Sequence, residues 1–240
     1  MDFGKILEEA FGYAKAGVFK RADRWLKLIL ATILLGIPLN GWIVRVYRGA
    51  TPAPEVDAWG TLFIDGLKLT IIGLIYAIPL IIFSVILPLI IHGTGRATVP
   101  VGTVVPISAG EMSSAIGLFL LLLVLYLVYD IIIAILLPIA SIRFARTGTF
   151  SEAFNFRAIL DTIGKIGWLN YVIAIILIGI FIGVPIAILA LIVLFAGIAM
   201  GHLFIALGVL VVLIIIIAPP LATFQARYMT QVYDSIVPAA

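Results

Sequence analysis

Asp130 lies in the run LLLVLYLVYDIIIAILLPIA, where every other residue is uncharged. A charged carboxylate in hydrocarbon costs roughly 2.5–3.5 kcal/mol on insertion scales, so a group of this kind needs partners. Tyr126 is one helical turn earlier and Tyr129 is adjacent, which brings two phenolic hydroxyls close to it. Tyr76 and Tyr171, with Asn170 beside the latter, are the cross-helix candidates. Such a carboxyl has two uses. It can be a protonated acid that fixes packing, or a proton or cation site in a carrier, and the residues leave both open.

Other chemistry is sparse. His92 and His202 could approach one another on one rim, but Glu111 is the sole carboxylate expected there, and a zinc site takes further ligands. No serine stands in a Gly-x-Ser-x-Gly context, and no glycine loop is built to cradle phosphate. Glu55, Asp57 and Asp65 fit the electrostatics of a helix start better than acid–base work. The expectation is a non-enzyme with no catalytic residue, no metal site and no cofactor.

The elements that must position these residues are set by apolarity. The chain has 240 residues, 64% hydrophobic and 11% charged, and a mean hydropathy of +1.29. A soluble domain carries about a quarter charged residues, so this composition belongs to a membrane protein. A net charge of +3 gives no support to nucleic-acid binding. Cysteine is absent, which excludes disulfides, thiolate metal sites and a cysteine nucleophile. The opening residues carry Asp2, Glu8, Glu9 and Asp23 and lack an Ala-x-Ala site, so no cleaved signal is expected.

The predicted fold is all-α: a polytopic transmembrane helical bundle in one integral membrane domain, 1–240. Full spans are expected at 67–91, 116–142, 168–195 and 203–224, since a crossing takes roughly 20 apolar residues. Three interfacial amphipathic helices are expected at 2–20, 54–66 and 150–163. The first has Phe3, Ile6, Leu7, Ala10, Phe11, Ala14 and Val18 on one face. The second begins at Pro54, with Glu55 and Asp57 in its first turn. The third begins with a Thr149-Phe150-Ser151-Glu152 capping box. Trp25, Trp59 and Trp168 should anchor at the interface, beside Arg45, Arg48, Arg143 and Arg146. These arginines hold matching places, each pair followed by a turn and an amphipathic helix, as an internal duplication would arrange them. Gly179, Gly183 and Ala187 form a small-residue ridge, expected to pack inside the monomer, with a homodimer as the other use.

The first apolar segment, 28–47, is interrupted by Pro38-Leu39-Asn40-Gly41, strong turn chemistry. It is either one kinked span or a hairpin that re-enters. If it crosses, the 15 Lys and Arg divide almost evenly between the two sides; if it re-enters, all but Arg96 share one side. The positive-inside rule favours re-entry.

Gly41-Trp42-Ile43-Val44-Arg45-Val46, Trp59-Gly60, Asp65-Gly66-Leu67-Lys68 and Ile75-Tyr76-Ala77-Ile78-Pro79 follow one another in an order that resembles the membrane protein family catalogued as domain of unknown function 4013. The resemblance covers most of the chain and is sharpest from Gly41 to Pro79. Where the family often reads Leu-Pro-Glu-Trp or similar, this chain has Ala53-Pro54-Glu55-Val56. Similar proteins occur in archaea, many of them methanogens, and in bacteria. The family has no established function, so the resemblance implies a multi-pass architecture in the cell membrane. From the residues, the expectation is a structural or membrane-organising component, with lipids, other membrane proteins or a second copy as partners. The alternative is a small transporter or ion-coupled carrier that uses Asp130.

Overall fold

The computed structural model describes residues 1–93 and 109–236, with side chains placed over 1–85 and 116–236. The side chains of His92 and Glu111, and the connection at 94–108, lie outside the described residues. Every regular element described is helical. Among the described residues four helices are long and apolar enough to cross a membrane, over Trp59–Val85, Ile116–Thr147, Trp168–Ala199 and Leu203–Asp234. The chain is thus an all-helical, multi-pass membrane protein. It divides into two units: Met1–Ile72 with Leu136–Ala240, and Gly73–Ile135.

The first unit begins with α1, Phe3–Ala14, where Asp2 caps the helix by accepting from the Lys5 amide at 3.0 Å. A π turn over Lys15–Phe19 follows, so the expected helix 2–20 changes pitch at Lys15. Next come α2, Ala22–Ile33, and α3, Ile37–Tyr47. The expected break at Pro38–Gly41 lies earlier, at Leu34–Gly36, where Leu35 and Gly36 have φ of 58° and 70°. Pro38 instead falls in the first turn of α3, where its missing N–H costs nothing. Gly36 takes the left-handed conformation that ends α2.

Helix α4, Trp59–Gly93, merges the expected amphipathic helix and the expected span into one. It starts later than 54 because Pro54 and Glu55 give their carbonyls to Trp42 and Arg45, at 3.2 and 3.0 Å. Helix α5, Ala109–Thr147, runs through Pro138 and past both arginines to Gly148, φ 71°. The third amphipathic helix is α6, Phe156–Ile166, preceded by a 3-10 turn at Phe150–Phe154. Its cap is Asn155, whose Oδ1 accepts from the Ala158 amide at 3.2 Å. Thr149 does not cap: its Oγ1 donates to the Thr147 carbonyl at 3.5 Å, and Glu152 of the expected box pairs with Arg143.

Helices α7, Trp168–Ala199, and α8, Leu203–Asp234, form a hairpin closed at Met200–His202. Helix α8 is the centre of the first unit and packs against α1, α2, α3 and α7. Ala10 and Ala14 are buried, and their small side chains let α1 approach closely. Trp42, Phe144, Tyr171, Tyr228 and Met229 fill the core. Where the alternative neighbour is lipid, such side chains stabilise the bundle through close packing rather than through removal from water.

Candidate functional site

The residues with the most polar chemistry gather in the first unit, where α3, α4, α5 and α8 are wired by arginines. Helices α3 and α4 cross at Gly41 and Gly66. A Cβ on Gly41 would strike the Leu62 carbonyl, and one on Gly66 would strike that of Ile37. Both positions therefore need glycine, because backbone meets backbone there. Asn40 donates to Thr70 Oγ1 at 3.0 Å beside the crossing. Past it, Arg48 pairs with Asp65 at 2.9 Å, and Arg45 pairs with Asp57 at 2.6 Å.

Two arginines exchange donors. Arg48 Nε donates to the Ala145 carbonyl at 3.2 Å, and Arg146 Nε donates to the Tyr47 carbonyl at 2.7 Å. Each therefore engages the residue just before the other. Both sit at helix C-termini, where unpaired carbonyls carry partial negative charge. A glycine at positive φ follows each, Gly49 directly at 89° and Gly148 two residues on at 71°. One turn before each, Arg45 and Arg143 reach forward to carboxylates of the following segment, Asp57 and Glu152. The repeat suspected from Arg-x-x-Arg spacing is thus a repeat of local geometry. Arg146 also grips both Asp234 oxygens at 2.8 Å.

A second cluster joins the N-terminal helices to this layer. Arg24, 5% exposed, donates to the Gly17 carbonyl at 2.8 Å and to Glu55 at 2.6 Å. Tyr13 donates to the Ala50 carbonyl at 2.8 Å, and Arg227 lies over its ring at 4.9 Å. Burial pushes the Tyr13 phenol up to about 12, against the pull of Arg227. Arg21 holds the Asp23 carboxyl below its ordinary range through a hydrogen bond. Arg143 does the same for Glu152, helped by Asn155. Glu55 and Asp57 thus serve arginines and lie ahead of helix α4, not in its first turn.

The candidate intramembrane residues belong to different units. Tyr171 is fully buried in the first unit. Tyr76, Tyr126, Tyr129 and Asp130 belong to the second. There Tyr129 donates to the Tyr76 carbonyl at 3.1 Å, and Tyr76 is itself buried. Asp130 and Tyr126 are exposed. The ridge of Gly179, Gly183 and Ala187 is exposed too, and a Cβ on either glycine would meet nothing within 4 Å. Within the first unit the ridge takes no part in the described packing. Close packing of α7 on α8 occurs instead at Gly197, whose Cβ would strike Ala206.

Trp59 and Trp168 are part-exposed first residues of α4 and α7, as interfacial anchors would be. Trp25 has a further role, donating to the Ile216 carbonyl at 2.9 Å. Trp42 figured in the sequence only as part of the Gly41–Val46 motif; it is fully buried, and its indole N–H donates to the Pro54 carbonyl at 3.2 Å. Among the described residues no three His, Asp or Glu side chains converge as metal ligands would.

These helices and their charged layer define a polytopic helical membrane protein. Residues 26–195 match the family described as Protein of unknown function (DUF4013). The match spans more than half of the chain, and the protein belongs to that family. It takes in the α3–α4 crossing and both arginine pairs. No curated protein and no solved structure matches the chain.

Proposed function

We propose that this protein is a non-enzymatic organising component of the cell membrane, a subunit or anchor for other membrane proteins. The observation that carries the reading is the use made of its charges. Arg24, Arg45, Arg48, Arg143 and Arg146 all pair with carboxylates of the chain itself. Arginine invested in helix-end carbonyls and carboxylates builds a rigid plate, and these five guanidinium groups are committed to the chain itself.

The N-terminal hairpin fits the same reading. Helices α2 and α3 have 12 and 11 residues. At 1.5 Å per residue each covers under about 20 Å, short of the ~30 Å hydrocarbon core. Their connection carries Leu35, which is 86% exposed, at the tip. We read the pair as re-entrant, with residues 1–24, 48–58 and 147–166 on the cytoplasmic side. Tyr13 bonded to Ala50 and Gln231 bonded to Glu9 support a shared side for the ends concerned. Lys15, Lys20 and Lys27, exposed and without ion-pair partners among the described residues, would meet anionic headgroups.

Extraction into native nanodiscs followed by intact-complex mass spectrometry tests this. The expected result is a stoichiometric protein partner. A lone protein that drives solute or proton flux in liposomes, lost in Asp130→Asn, would establish the carrier alternative instead.

A further inference from the structure

We propose that Asp130 is the docking point for a transmembrane helix of another protein that carries a lysine or arginine at matching depth. This rests on the interaction reading above and names the chemistry of its partner. Asp130 is exposed on the second unit, and no hydrogen bond or ion pair joins it to a described residue. It lies 13 residues before Arg143 in α5, or ~20 Å along the helix, inside the apolar stretch. Leu127, Val128, Ile131 and Ile132 around it are exposed as well. Tyr126, one turn earlier and exposed, offers a hydroxyl on the same face.

A carboxylate left alone in this setting is costly, and so is a lone ammonium or guanidinium on a neighbouring helix. Pairing relieves both at once, which makes association the favourable outcome. A second copy of the chain does not supply the partner. Lys and Arg are absent from 116–142 and from 168–224, and in α4 none follows Lys68. A two-fold contact centred on this residue would set Asp130 against Asp130, like against like. Charge complementarity therefore selects a different chain with a basic residue in its span.

The test uses the full-length protein in liposomes with a dye on Met200→Cys, and dye-labelled polyleucine transmembrane helices as probes. One probe has a central lysine, one is leucine throughout, and one has its lysine moved two turns toward an end. Energy transfer should show at least tenfold tighter binding of the central-lysine helix than of the other two. Asp130→Asn should remove that advantage. Equal binding of all three probes to the native sequence overturns the proposal without reference to any variant. So does energy transfer between copies of the protein that Asp130→Asn abolishes, which would mean a self-interface. If the probes bind equally while native nanodiscs still hold a partner, this proposal falls and the organising reading stands.

Discussion

The indole N–H of Trp25 donates to the Ile216 carbonyl at 2.9 Å, the carbonyl that Pro220, four residues further on, has no N–H to satisfy. A proline inside a helix leaves such an acceptor open, and in a membrane no water is at hand to fill it. Helix α2 thus repairs helix α8. Trp25→Phe keeps the ring but drops the donor, and should cost about 1–3 kcal/mol in a detergent unfolding assay. In a Pro220→Ala background the helix makes its own bond, so the same change should cost clearly less. Equal costs in both backgrounds would separate the indole from the proline.

At the α3–α4 crossing, Gly41→Ala and Gly66→Ala each press a methyl into facing backbone that cannot move aside. Each should destabilise by about 1–3 kcal/mol or more, as overpacking does. Gly179→Ala and Gly183→Ala meet open space and should leave the melting temperature unchanged or slightly raised, since alanine is the better helix former.

That contrast bears on what sequence could reveal. The spans were legible because an apolar run long enough to cross a bilayer has few other uses. Arg-x-x-Arg at two places was legible as a repeat. The start of α4 was not, because Glu55 and Asp57 are drawn to Arg24 and Arg45 from elsewhere in the chain, overriding a local helix-start pattern. Glu152 was misassigned as a cap for the same reason, with Arg143 as competitor. Glycine spacing marked Gly179 and Gly183, while the glycines that carry a helix crossing, Gly41 and Gly66, lie on different helices and share no spacing. Asp130 stood out on composition alone, but its facing depends on tertiary placement.

Arg146→Lys should weaken the layer more than its conserved charge suggests. Lysine cannot both grip Asp234 with two bonds and reach the Tyr47 carbonyl, as the planar guanidinium does. A loss of about 1.5–3 kcal/mol is expected, measured by denaturant titration against the native sequence. A change within error would mean that the exchange with Arg48 contributes little.

Glu152 gives a pH dependence with a definite sign. Its folded carboxyl is held below the ordinary range by Arg143, so its stabilisation is present above the unfolded value of about 4.3 and fades as pH falls through the folded one. Thermal melts of the native protein should therefore fall as pH drops below about 4.3. Glu152→Gln should start lower and show a shallower drop, and identical acid limbs would refute the linkage.

The account turns on a charged layer gathered on one side of the membrane, with the α2–α3 hairpin entering and leaving from that side. Because the chain has no cysteine, single substitutions report cleanly. Gly12→Cys lies in α1, at a glycine whose added Cβ would meet nothing within 4 Å, and Met200→Cys lies in the exposed turn between α7 and α8. In intact cells an impermeant maleimide should label Met200→Cys and spare Gly12→Cys until the membrane is opened. Labelling of both positions in intact cells would contradict the account and make residues 28–47 a simple crossing.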